Sequence, residues 1–296
     1  MIGPLFAFLT ASSYALSYIF IRRAVLKISD ASLGTLITIP MGVPFCFLLL
    51  IFTGQLQDII NFSWQGYVWL SLAGIVEFII GRSLAYKCIQ LVGANIASIL
   101  RRIDIIVSVA LGVSLLHESL SWQLVIGVLL IIFGITIVGL RSPMTKNSKG
   151  RFSKIPAKAF VLGLGNGVAW GLGPMLIKLG LKDSGSPVAG AFIAFLAATF
   201  FLSITLLNQG RRTSIAHISG KAVGLFSISG IFSGTANQFR FMALSLAPVS
   251  IVSPLVSTVP VFLLVFSFLF NRSLEVFNIT VMIGTVTVVI GSILLV

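Results

Sequence analysis

The chain has 296 residues, of which 57% are hydrophobic and only 9% charged, with a formal net charge of +13 and a mean hydropathy of +1.10. Soluble domains carry roughly 25% charged residues, so a water-facing surface cannot be built from this composition. At about 20 apolar residues per membrane crossing, the length holds roughly ten spans and leaves no room for a separate soluble domain.

Taken in chain order, the apolar runs are 4–21, 32–53, 64–86, 94–116, 122–140, 159–177, 188–208, 222–246, 249–270 and 274–296. Lipid offers no hydrogen-bond partner to a backbone, so each run reads as a helix. A barrel would need shorter segments of alternating polarity. The N-terminus, Met1-Ile2-Gly3-Pro4, has no basic region ahead of its apolar run and reads as a retained first span. A basic linker, 141–158, holds Arg141, Lys146, Lys149, Arg151, Lys154 and Lys158 and separates a first unit, 1–140, from a second, 159–296.

The two units resemble each other. Tyr14 and Arg22 match Trp170 and Lys178 at a shift of 156 residues, and Ser71, Gly74 and Ile75 match Ser227, Gly230 and Ile231 at the same shift. Gly127 and Gly134 correspond to Gly284 and Gly291. Five spans per unit is an odd number, so the second unit enters the membrane from the opposite side. The expected fold class is an all-α membrane protein of about ten transmembrane helices arranged as two inverted five-helix repeats.

The net positive charge would fit a nucleic-acid partner, but the basic residues fall in short loops between apolar runs, as the positive-inside rule places them. No nucleic acid is implied, and the partner of the apolar surface is the lipid bilayer. One side receives Arg22, Arg23, Lys27, Lys87, the linker cations, Arg211, Arg212, Lys221 and Arg272, and the other only Lys178 and Lys182. The first side is therefore expected to be cytoplasmic, in a cell membrane, with both termini outside. Cys46 and Cys88 lie in apolar runs, and no metal-ligand spacing or nucleotide motif is present, so no cofactor, metal or catalytic residue is expected. Nothing in the sequence points to an oligomeric state.

Charged residues at membrane depth are costly and mark cavities or pairs. Six fall within the runs: Glu77, Arg82, Arg101, Arg102, Asp104 and Arg240. By depth, Glu77 and Asp104 both lie near the midplane, which suits a Glu77–Arg101–Asp104 cluster, while Arg102 should point about 100° away from Arg101 on a continuous helix. Four arginines against two carboxylates leave two guanidinium groups for an anion. Tyr14, Trp170, Asn166 and Gln238, together with Asn237, offer aromatic faces and hydrogen bonds to a cavity. The expected binding set is thus Tyr14, Glu77, Arg82, Arg101, Asp104, Asn166, Trp170, Gln238 and Arg240, with Glu77 and Asp104 as candidates for ion coupling. Glycines at 163, 167 and 171 repeat every fourth position, a spacing that lets helices approach closely.

An aromatic residue followed by a basic one opens each half (Tyr14 and Arg22, Trp170 and Lys178). His117-Glu118-Ser119-Leu120 then precedes a helix carrying Gly127 and Gly134 in the first half. In this the chain resembles the EamA-like branch of the drug/metabolite transporter superfamily over its whole length. The second half keeps Ser273, Leu274, Gly284 and Gly291 but has Arg272 where the resemblance leads one to expect glutamate. The resemblance implies a secondary carrier of a small-molecule substrate, and many relatives keep both termini cytoplasmic, against the charge bias here. The expected function is transport of a small polar metabolite, anionic or zwitterionic, through a central cavity. The alternative is a membrane-embedded enzyme or flippase acting on lipid or polyprenyl phosphate, which the surplus arginines also suit but which usually needs acidic metal ligands or a His/Asp/Ser constellation.

Overall fold

The structure, a computed structural model, describes residues 2–116, 122–141, 155–182, 186–275, 277 and 279–294. The His117-Glu118-Ser119-Leu120 motif and most of the basic linker lie outside these residues. All regular structure among the described residues is helical.

The first half contains α1 (Ile2–Val25), the short α2 (Thr35–Thr38), α3 (Gly42–Phe52), α4 (Trp64–Ala73), α5 (Arg82–Leu100), α6 (Ile103–Leu116) and α7 (Trp122–Arg141). A π-helical segment, Gly74–Gly81, joins α4 to α5. The second half contains α8 (Ala157–Gly180), α9 (Pro187–Ile204), α10 (Gln209–Ala216), α11 (Gly220–Leu246), α12 (Val249–Val256), α13 (Val259–Phe270) and α14 (Ile279–Leu294). Five stretches are long and apolar enough to cross a bilayer, or six if α10 and α11, bent by 100°, count as one.

Several of the apolar runs are broken rather than continuous. Pro40 has no amide hydrogen to donate, and the chain turns between α2 and α3 beside it. Inside α5, Gly93 takes φ +85°, a left-handed value that favours glycine. The free helix ends at this break are satisfied from other elements, as buried termini require. Ala94 N–H and Asn95 N–H donate to the Glu275 carboxylate at 2.8 and 3.0 Å. Arg22 donates to the carbonyls of Ile89 and Leu274 and lies 3.4 Å from Glu275. A further break at Arg101-Arg102 separates α5 from α6, and the turn at Ser257-Thr258 separates α12 from α13 at the 156-residue shift.

α1 and α11 run antiparallel through the centre. A Cβ on Gly3 would sit 3.0 Å from Ala247 Cβ, while further along Ser17 Oγ lies 2.8 Å from Ser229 Oγ. α8 packs on α5 and α6 through its small residues: a Cβ at Gly163 would meet Leu100 Cβ at 2.6 Å, and one at Gly171 would meet Val107 Cβ at 2.6 Å. α7 and α14 cross where Gly134 faces Gly284 and Val288. Leu129, Phe133, Phe200 and Phe268 are exposed. This outward apolar surface needs lipid around it.

Candidate functional site

The charged residues of the runs converge at the centre of the bundle, and of the expected contacts Arg101–Asp104 is present while Glu77–Arg101 is not. Glu77 sits in the π-helical segment, a form of helix that recurs at functional sites. Arg240 of α11 grips its carboxylate with both terminal nitrogens, Nη2 to Oε1 at 2.6 Å and Nη1 to Oε2 at 2.8 Å. The fork matches the planar carboxylate, the strongest geometry available to such a pair. Glu77 is fully buried and Arg240 nearly so.

The expected Glu77–Arg101 contact is therefore corrected. The depth of the two residues is compatible with contact, but α8 passes between them. Gly173 lies against the Glu77 carboxylate, while Gly167 and Gly171 lie against the backbone of Arg101 and Asp104.

Asp104 Oδ2 lies 3.5 Å from Arg101 Nε, as expected, and also 3.5 Å from an Arg102 terminal nitrogen. The expectation that the diverging arginines would not share a partner is corrected: both sit in the turn between α5 and α6, and their long side chains reach the same carboxylate. Arg102 Nε also donates to Ser98 O at 3.1 Å. Arg101 donates to Tyr18 Oη at 2.9 Å.

Arg82 is the exception. It is buried, packs over Phe78 at 5.0 Å and Phe195 at 5.9 Å, and makes no ion pair among the described residues. Neither terminal nitrogen has a hydrogen-bond partner.

Trp170 stands at the middle of this group. Its ring carries the Arg101 guanidinium at 4.7 Å and that of Arg240 at 5.0 Å, and Tyr14 meets it edge-on at 5.3 Å. Tyr14 in turn donates to Asn237 Oδ1 at 2.6 Å. Two cavities adjoin the indole. One, small in this conformation, is lined by Arg101, Asp104, Ser108, Arg240, Ser253 and Ser257, among others. The other, also small, is lined by Tyr14, Ser17, Tyr18, Arg82, Tyr86 and Ser233, among others. Trp170 lines both. The walls hold further orphaned polar atoms: Asp104 Oδ1, Ser253 Oγ and Trp170 Nε1. Unpaired buried polar atoms are costly and need a partner to be worth keeping.

Of the expected set, Tyr14, Arg82, Arg101, Asp104, Trp170 and Arg240 reach a cavity wall. Glu77 lies behind Arg240. Asn166 and Gln238 are buried, with Oδ1 and Nε2 unpartnered, yet line neither cavity. Sequence reasoning missed Tyr18, although it lies one turn beyond Tyr14 on α1 and so on the same face. It also missed Tyr86 and the lining serines. Serine is common in helices that pack closely, and nothing in its spacing here marks a cavity.

A bundle of apolar helices that buries ion pairs beside small cavities with charged groups in their walls defines a multi-pass membrane protein. The chain belongs to the EamA-like transporter family, whose model matches residues 1–140 and 157–296. It is thus a membrane transporter of the drug/metabolite type, and the family implies a protein that is not an enzyme. No curated protein matches the sequence. A solved crystal structure described only as that of a protein is similar in fold, with a TM-score of 0.67 and 16% identity over 97% of this chain and 94% of its own.

Proposed function

We propose that the protein is a secondary transporter that moves a small anionic or zwitterionic metabolite by alternating access. In this reading the chain crosses the membrane about ten times as two inverted five-helix repeats, with the substrate held beside Trp170. The observation that carries it is Arg82, a buried guanidinium without an ion pair among the described residues, standing in a cavity wall. A buried arginine without a counter-charge is strongly disfavoured unless an anion or water meets it, and its planar fork suits carboxylate or phosphate. The partial pairing of Arg101 and Arg102 with a single aspartate adds to the same bias.

The test is a thermal-stabilisation screen of the purified protein with lactate, glutamate, succinate, glycerol phosphate, glucose and choline, followed by binding titration of the strongest stabiliser. An anion or zwitterion is expected to stabilise. Arg82→Gln is expected to weaken its binding about tenfold or more, the effect of losing one charge-assisted contact of about 1.5–3 kcal/mol. Preference for choline, or unchanged affinity in Arg82→Gln, rejects the anionic reading. Solute movement in sealed proteoliposomes separates transport from action on a lipid phosphate.

The same reading places the linker in the cytoplasm, because it holds the densest group of loop cations. A cysteine substituted at Ser148 is expected to resist a membrane-impermeant thiol reagent in intact cells and to react once the cells are opened. Labelling in intact cells reverses the orientation.

A further inference from the structure

The two cavities lie toward opposite ends of the bundle. The Arg82 cavity is bordered by Ile21, Ala85 and Tyr86. These face the end where α1 finishes and the Gln90 amide donates to Val25 O and Ile28 O at 2.9 and 2.8 Å. The Arg101 cavity is bordered by Pro174, Leu244 and Val252. These face the other end, where Lys178 donates to Leu244 O and Ala247 O at 3.2 and 3.0 Å and Gly3 meets Ala247.

Charge is divided between them. Glu77 and Arg240 neutralise each other. Asp104 answers two arginines, Arg101 and Arg102, and so leaves one positive charge beside its cavity. Arg82 places one positive charge beside the other. The partition is the Trp170 indole, which lines both spaces and has an unpartnered N–H. Gly81 makes room for it, since a Cβ there would lie 2.8 Å from Trp170 Cδ1.

We propose that the cavities are two stations for the same anionic group, each entered from its own end, with Trp170 as the wall the substrate must pass. The proposal rests on the anionic reading above and adds a division of labour: Arg82 receives the anion from one face, and Arg101 from the other. Equal net charge at both stations has a physical use. A site that binds too tightly cannot release, and neighbouring sites of matched strength let an ion move on. The Trp170 N–H, unpartnered at rest, is a donor at the boundary between the two.

The test needs no knowledge of the natural substrate. In a background of Cys46→Ala and Cys88→Ala, Ser17→Cys reports on the Arg82 cavity and Ser108→Cys on the Arg101 cavity. Each is exposed, one membrane face at a time, to two impermeant methanethiosulfonates, one carrying a sulfonate and one a trimethylammonium group, with rates normalised to a free thiol.

Ser17→Cys is expected to react from the face bearing Lys87 and Ser108→Cys from the opposite face, each about tenfold faster with the sulfonate, the scale of one nearby charge. Arg82→Gln should remove that preference at Ser17→Cys alone, and Arg101→Gln at Ser108→Cys alone, while the lysine variants of both keep it. Arg82 makes no ion pair among the described residues, so its variant decides the matter if Arg101→Gln fails to fold. Loss of preference at both positions in Arg82→Gln, or labelling of both from one face, means a single shared site and overturns the two-station proposal while leaving the anionic reading intact. Preference for the trimethylammonium reagent in the parent protein overturns both.

Discussion

Glu77→Gln is expected to destabilise the protein by about 3–5 kcal/mol, the usual cost of removing one partner from a buried ion pair. Both oxygens of Glu77 are occupied by Arg240, at 2.6 and 2.8 Å, and an amide can accept only one of those two donated bonds. The Arg240 charge would then remain deep in the bundle with half its fork unsatisfied. Arg240→Gln should cost a similar amount, and Glu77→Gln combined with Arg240→Gln should recover a large part of the loss. Reversible unfolding in lipid bicelles measures all four states of this cycle, and the departure from additivity is the coupling between the two residues. Single variants that each cost under about 1 kcal/mol, without coupling, would mean that the pair contributes as little as a surface salt bridge. A pair this enclosed serves as a fixed internal counter-charge. Between the two coupling candidates, Asp104 is the one whose carboxylate has an unpartnered oxygen and faces a cavity.

Gly173→Ala should bring the same loss from the other side of the contact. A Cβ at position 173 would occupy the space of Glu77 Oε1 and crowd its Cδ. The carboxylate would have to swing away from Arg240, leaving two buried charges apart, so a cost of about 3 kcal/mol or more is expected. Transport should fall with it, because Arg240 also supports the Trp170 ring at 5.0 Å. The mechanism is specific enough to check by non-additivity. In a Glu77→Ala, Arg240→Met background the oxygen is gone, and Gly173→Ala should then cost less than about 1 kcal/mol. An equal penalty in both backgrounds would place the clash elsewhere, in the α8 backbone rather than at the carboxylate.

Much of this protein is legible without coordinates because the bilayer is a demanding solvent. Apolar runs of span length must be helical, since lipid leaves backbone groups no other partner, and ionisable residues inside such runs must be exceptional. That reasoning selects Glu77, Arg82, Arg101, Asp104 and Arg240, and the spacing of Gly163, Gly167 and Gly171 marks the face on which α8 is closely packed. The alignment of Tyr14 with Trp170 picks out two aromatic residues that meet at 5.3 Å. The resemblance to EamA-like carriers adds the family, and with it the class of activity.

Pairing within one turn was legible, as for Arg101 and Asp104, but pairing between helices was not. Rise per residue gives the depth of a side chain, so Glu77 and Arg101 read as neighbours. Whether two helices at one depth touch depends on what lies between them, and here α8 does. Arg101 and Arg102 read as diverging on a continuous helix, yet they share one carboxylate across a turn that neither proline nor glycine announces. Glu275 shows the same limit. The sequence comparison turned on Arg272, while the carboxylate that binds the Ala94 and Asn95 amides lies three residues further on. Its task depends on Gly93 at φ +85°, in a different helix. Composition and periodicity act through the solvent, which every residue of a run experiences alike, and so they are readable along the chain. Which arginine meets which carboxylate, and which one is left without a partner in a cavity wall, is decided by contacts between residues far apart in sequence, and only the packed bundle supplies them.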